Sequence, residues 1–136
     1  NVVLGDEVYD LDMDIYAPCA LGATINDDTL NRLKCKVIAG AANNQLEDES
    51  KHGKMLTDQG LVYAPDFLIN AGGLISVNSE VYKLSAERTM EMTEKIYYSV
   101  SNLLKFSENK NIPSSEAALQ LAQNRIDEIT QVKSGR

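Results

Sequence analysis

Two stretches of the chain place carboxamides beside very small residues. In KVIAGAANNQL (36–46), the apolar run Val37, Ile38, Ala39 leads directly into Gly40, two alanines, Asn43 and Asn44. In PDFLINAGGLISV (65–77), Asn70 is followed by Ala71, Gly72 and Gly73. A carboxamide offers a donor and an acceptor without net charge, and glycine lets backbone come close to a ligand. Such residues suit orienting a small molecule by hydrogen bonds rather than attacking it. An ordinary turn explains Gly and Asn in the first stretch equally well. In the second, a tight turn would need one glycine and no amide, so a ligand site is favoured.

Other chemistries fit poorly. Asp10, Asp12 and Asp14 suggest calcium, but an EF-hand loop starting at Asp10 needs Gly at its sixth position and Glu at its twelfth. Ile15 and Leu21 stand there. A solvated acidic lead-in to a strand is the better reading. Nothing in the spacing ties His52, the only histidine, to Cys19 or Cys35 as a thiol catalyst or metal set. Gly72-Gly73 lacks the G-x-G-x-x-G spacing, so the pyrophosphate site of any bound dinucleotide is expected on sequence outside this chain.

Positioning these residues requires strands and helices in alternation. The runs DIYAP (14–18), KVIAGA (36–41) and LVYAP (61–65) each read as a short strand bounded by turn residues. Strands of this kind are expected to be buried on both faces of a parallel sheet. Two of the runs end in Ala-Pro, which removes a ladder donor. INDDTLNRL predicts a helix capped by Asn26 with Asp27 and Asp28 in its first turn. ESKHGKMLTDQG predicts another, stopped at Gly60. Two βαβ crossovers result, half of a doubly wound fold whose strands deliver their carboxyl ends to one edge, where open α/β sheets bind ligands.

Beyond residue 66 the pattern is helical. Ser85 is expected to cap a helix whose apolar positions include Ala86, Met90, Ile96, Tyr97, Val100, Leu103 and Leu104. ENKNIPSS breaks it, and Ser114 or Ser115 is expected to cap a last helix. Its stripe runs through Ala117, Ala118, Leu121, Ala122, Arg125, Ile126 and Ile129, and QVKSGR reads as a frayed tail.

The 136 residues suit one core, and the net charge of −7 argues against nucleic acid. No apolar run approaches the ~18 residues of a membrane span. Two cysteines make no disulfide framework, so a reducing cytoplasm is expected. The chain opens on NVVLGDEVYD without a methionine, which suggests a piece of a longer protein.

DIYAPCALGA (14–23), VIAGAANNQL (37–46), HGKMLTDQGLVYAPDFLINAGG (52–73) and the helix that follows closely resemble the leucine/valine/phenylalanine branch of the amino-acid dehydrogenases. Four motifs in order, over nearly the whole chain, are far more specific than any one glycine pattern. The resemblance implies NAD-dependent oxidative deamination of a branched-chain L-amino acid, leucine foremost, to its 2-oxo acid and ammonia, in a homo-oligomer. Valine or phenylalanine as substrate stays open, as does a non-catalytic half-Rossmann module. It implies that residues 1–84 are the second half of a Rossmann-like NAD domain of about three parallel strands, and 85–136 its C-terminal helices. The family's glycine loop, two catalytic lysines and catalytic aspartate would lie upstream, so this chain alone is expected to be inactive. Carried over by motif, Pro18, Cys19, Ala20 and Leu21 pass beside the cofactor riboses. Asn44 stands near the nicotinamide ribose and the reacting substrate, and Asn70 holds the nicotinamide end beside the bare backbone of Gly72. Leu74 and Val77 line the substrate side-chain pocket. Three apart, they share one face of a helix.

Overall fold

The computed structural model describes residues 2–134. After a 3₁₀ turn at Gly5–Asp10, the chain runs β1 (Ile15–Tyr16), α1 (Asp27–Arg32), β2 (Val37–Ile38), α2 (Glu49–Asp58) and β3 (Val62–Tyr63). It continues through α3 (Asp66–Ile69), α4 (Gly72–Tyr82), α5 (Ala86–Lys110) and α6 (Ser114–Ser134). The sheet is parallel in the order β1-β2-β3, with Tyr16 beside Ile38 and Ile38 beside Tyr63. The strands are short because Pro18 and Pro65 have no N–H to continue the ladder beyond Ala17 and Ala64. Fold class and element order therefore follow the sequence pattern: an α/β parallel sheet of three strands with crossover helices, then C-terminal helices.

The expected burial of the strands on both faces is corrected. Tyr16, Ile38 and Tyr63 join Ile25, Leu30, Leu46 and Leu56 in the core. Their strand neighbours Ile15 and Val62 are exposed and Val37 of β2 is half-buried, so among the described residues the second face of the sheet is covered only in part, at its central strand.

Local capping explains where most helices begin and end. The Asn26 side chain accepts from the backbone N–H of Asp28 and Thr29, and Thr29 Oγ1 accepts in return from the Asn26 N–H. Asp48 caps α2 through the Lys51 N–H at 2.8 Å, and Gly60 follows it at φ +71°, where a Cβ would be strained. Ser85 caps α5 through the Arg88 N–H. The last helix departs from expectation. Ser114 and Ser115 lie inside α6, whose first turn is closed by the Ala117 N–H donating to the Pro113 carbonyl. Ser114 Oγ donates instead to the Tyr63 carbonyl at 2.7 Å, tying α6 to β3.

Two helical stripes also need correction. On α5 Ile96, Val100, Leu103 and Leu104 turn inward as expected, but Ala86, Met90 and Tyr97 are exposed, and Thr89 and Thr93 complete the inward face toward the helix start. On α6 only the first two turns pack, around Ala117; every residue from Ala122 to Val132 is exposed, including Ile126 and Ile129. Residues 131–134, expected to fray, are helical, and 135–136 lie outside the described residues.

His52 is buried and joins the two crossover helices. The Asp48 N–H donates to Nδ1 at 3.0 Å, which leaves the proton on Nε2, 3.2 Å from Asp27 Oδ1. Lys51 Nζ reaches Asp27 Oδ2 at 2.6 Å. The Lys51 ammonium first, and His52 second, hold the Asp27 carboxyl below its ordinary 3.8. A depressed carboxylate stabilises the fold above its ordinary pKa, and that contribution disappears as pH falls through the lowered value. Asp27→Asn should therefore destabilise the chain at neutral pH, and the difference from the parent should shrink steadily below pH 3.8. Urea unfolding across that range checks it; a constant difference would contradict the pairing.

Candidate functional site

The carboxyl ends of β1, β2 and β3 release residues 17–24, 39–45 and 64–71 along one edge, and these three segments interlock. A Cβ on Gly40 would sit 2.1 Å from the Pro18 carbonyl oxygen, and one on Gly22 2.8 Å from that of Asn43. Glycine at 40 and 22 is thus required by the packing of the first segment on the second. Across this seam the Ala42 N–H donates to the Pro18 carbonyl at 2.9 Å, and the Ala41 N–H to Cys19 Sγ at 3.5 Å. Inside the second segment, buried Gln45 donates from Nε2 to the carbonyls of Gly40 and Ala42.

Asn44 is held by its backbone alone. Its φ of +53° lies in the left-handed region, which Asn tolerates better than most residues. Its N–H donates to Asp66 Oδ2 at 2.7 Å, and its carbonyl accepts from the Ala23 N–H at 2.7 Å. The side-chain amide has no hydrogen-bond partner among the described residues. A donor and an acceptor are therefore presented outward on a fixed backbone.

The third segment supplies the opposite wall. Sequence reasoning expected Asn70 directly after β3, but the one-turn helix α3 intervenes, entered from Pro65. Asn70 Nδ2 donates to Asn43 Oδ1 at 2.6 Å and to the Ala41 carbonyl at 3.3 Å, so the second and third segments share an amide bridge. Beside it lies an open cavity of about 640 Å³ whose lining includes Asn43, Phe67, Asn70, Gly72, Leu74 and Ile96. A Cβ on Gly72 or Gly73 would meet nothing within 4 Å, and neither glycine has a positive φ. Unlike Gly40 and Gly22, they answer no packing need among the described residues.

The structure thus brings Pro18, Cys19, Asn44 and Asn70 to one edge, and Asn70, Gly72 and Leu74 to one cavity. Pro18 is buried, whereas Cys19, Ala20 and Leu21 are exposed. Leu74 and Val77 are exposed at 74% and 59%, so neither is a core residue of α4; Val77 lies one turn beyond the cavity lining.

Sequence reasoning missed Asp66 and Tyr63. Asp66 is buried and accepts from the Tyr63 hydroxyl at 3.2 Å as well as from the Asn44 N–H. Burial, and then the neighbouring Asp66 charge, push the Tyr63 hydroxyl far above its ordinary value, so it stays protonated and able to donate. The Pro-Asp pair opening α3 was the one available signal. Among the described residues no cluster of three His, Cys, Asp or Glu side chains could hold a metal; Asp10 pairs with Arg32 at 2.8 Å.

Known proteins resemble this arrangement. A family model described as Glutamate/Leucine/Phenylalanine/Valine dehydrogenase matches residues 1–134. Leucine dehydrogenase of Bacillus subtilis (strain 168) is 52% identical over 129 residues, 95% of this chain and 35% of the relative. Leucine dehydrogenase of Thermoactinomyces intermedius is 50% identical over the same shares. The crystal structure of L-tryptophan dehydrogenase from Nostoc punctiforme superposes with a TM-score of 0.88 at 41% identity, covering 92% of this chain and 37% of that one. The chain spans about a third of the length of the curated relatives it matches.

Proposed function

Because the chain belongs to the glutamate/leucine/phenylalanine/valine dehydrogenase family, we propose that it forms the second half of the NAD-binding domain of a leucine dehydrogenase. The complete protein would convert a branched-chain L-amino acid, leucine foremost, to its 2-oxo acid and ammonia. The observation that carries this reading is the backbone-clamped Asn44, whose side-chain amide has no partner among the described residues, next in the chain to Asn43, which lines the cavity with Asn70, Gly72 and Leu74.

The residues present fit a nicotinamide. Gly72 and Gly73 leave room that nothing among the described residues fills, and the neighbouring amides would bind without adding charge beside a ring that is positive before it accepts the hydride and neutral afterwards. When bound, NAD supplies the acceptor for a hydride from the substrate Cα. Such a transfer needs donor carbon and acceptor ring held close and aligned, a positioning task for fixed hydrogen bonds. Asn70, locked by Asn43 and Ala41, orients the nicotinamide end. Asn44 would hydrogen-bond at the ribose and the reacting substrate, and the Pro18–Leu21 segment would run beside the riboses. Leu74 and Val77 present aliphatic surface to the substrate side chain. An acidic side chain there would be buried without a partner, which costs several kcal/mol or about that. In this reading no residue of the chain moves a proton; that work belongs to lysine and aspartate groups upstream.

Leucine as substrate is supported by the two leucine dehydrogenase relatives and by the aliphatic character of Leu74 and Val77. A homo-oligomer is supported by the apolar residues left exposed on α6, and a cytoplasmic setting by two free cysteines.

Cys19 provides a test that does not depend on turnover. It is exposed beside the proposed cofactor path, whereas Cys35 is buried, and burial raises its thiol above the ordinary range. In the full-length protein Cys19 should be alkylated much faster than Cys35, and saturating NADH should slow its alkylation by roughly tenfold or more by occlusion. Peptide mapping follows both sites. A Cys19 rate indifferent to NADH would count against the cofactor path.

A further inference from the structure

We infer that Asp66 is a positioning residue for the proposed reaction, fixing the left-handed backbone at Asn44 so that the Asn44 amide faces outward. The inference rests on the reading of Asn44 given above. It names a group that touches neither substrate nor cofactor and acts through its neighbour.

The geometry carries it from three sides. Asp66 is 8% exposed, and its carboxylate is divided between two donors. Oδ2 takes the Asn44 N–H at 2.7 Å, a charge-assisted bond, and Oδ1 takes the Tyr63 hydroxyl at 3.2 Å. On the far side of Asn44, the Ala23 N–H holds the carbonyl at 2.7 Å from a residue that is itself left-handed, at φ +55°. A non-glycine residue persists at positive φ only where its surroundings over-determine it. Here the over-determination comes from one carboxylate and one amide, gripping opposite ends of the same residue. Without the Asp66 acceptor, the Asn44 N–H loses its partner and φ can relax to negative values. That rotation swings the Cα–Cβ bond and aims the amide elsewhere. Tyr63 anchors the carboxylate to the end of β3, so the setting of the second segment is referred to the sheet.

The test uses the full-length dehydrogenase and four variants: Asn44→Ala, Asp66→Ala, the double variant and Asp66→Asn. Turnover on L-leucine is measured well below each melting temperature. Asp66→Ala should lower kcat by about 10- to 100-fold, the scale of a misplaced group, and the double variant should be no slower than Asn44→Ala. Asp66→Asn keeps an acceptor oxygen for the Asn44 N–H, and its amino group can donate to the Tyr63 oxygen. It should restore most of the turnover lost in Asp66→Ala. Should Asp66→Ala not fold, Asp66→Leu, which fills the volume, replaces it. Hydrogen exchange at the Asn44 backbone N–H, expected to be slow in the parent, should be fast in whichever of the two is used.

Each contrary result separates the two claims. A slow Asn44→Ala with an unimpaired Asp66→Ala overturns the inference and leaves the reading of Asn44 standing. Multiplying losses in the double variant overturn it too, because Asp66 would then act independently of Asn44. Asp66→Asn as slow as Asp66→Ala overturns it as well, because the acceptor oxygen for the Asn44 N–H would then not be what sets the rate. A fully active Asn44→Ala removes the reading itself, and the inference with it.

Discussion

In the full-length protein, Asn44→Ala is expected to lower kcat by about 10²- to 10³-fold, the usual cost of removing one positioned hydrogen-bonding group from a reacting centre. The side chain has no partner within the described residues, so its removal breaks no internal hydrogen bond. The backbone bonds to Asp66 and Ala23 survive the substitution. Alanine is less at ease than asparagine at φ +53°, which should cost about 1 kcal/mol of stability. Asn44→Gly separates the two effects, because glycine accepts the conformation and still lacks the amide. Both variants should be equally slow, and only Ala should melt earlier. Turnover close to the parent value in either one would contradict the role given to Asn44.

The second large effect concerns substrate choice. Leu74 lines the cavity and is 74% exposed, so its truncation leaves no hole in a packed core. A core leucine would lose ~2–5 kcal/mol of stability on conversion to alanine; Leu74→Ala should lose less than about 1 kcal/mol, as surface changes do. If Leu74 forms the substrate wall, kcat/KM for leucine should fall by roughly 1–3 kcal/mol of transition-state stabilisation, the worth of a methylene or two. Phenylalanine, given more room, should lose less or gain. Specificity constants for both amino acids, with a melting curve, decide the matter. An unchanged ratio would remove Leu74 from the pocket.

The parts legible in the sequence were those decided within a few residues. Asn26, Ser85 and Gly60 act on backbone groups two to four positions away, and the strand runs carry their own stops in Ala-Pro. What failed depends on which surfaces meet. On α5 the neighbours α3, α4 and α6 take Ile96, Val100 and Leu103 as the pattern suggests, but they also turn the polar Thr89 and Thr93 inward and leave Met90 and Tyr97 outside. Ser114 could cap a helix by its type, but the Tyr63 carbonyl 51 positions away claims its hydroxyl. At the candidate site the amides were conspicuous by type. The glycines, alike in sequence, divide by tertiary contact: Gly40 and Gly22 serve packing, and Gly72 and Gly73 face open space. Asp66 could not be identified, because a carboxylate reads as surface until burial and a 2.7 Å contact with Asn44 show otherwise.

The central claim, that this chain completes the cofactor half of a leucine dehydrogenase, is tested most directly by supplying the full-length protein with NAD and L-leucine and following absorbance of the reduced nicotinamide. The account predicts NADH formation with equimolar 2-oxo acid and ammonia, faster on leucine than on phenylalanine. No NADH from leucine, valine or phenylalanine by folded protein would contradict it.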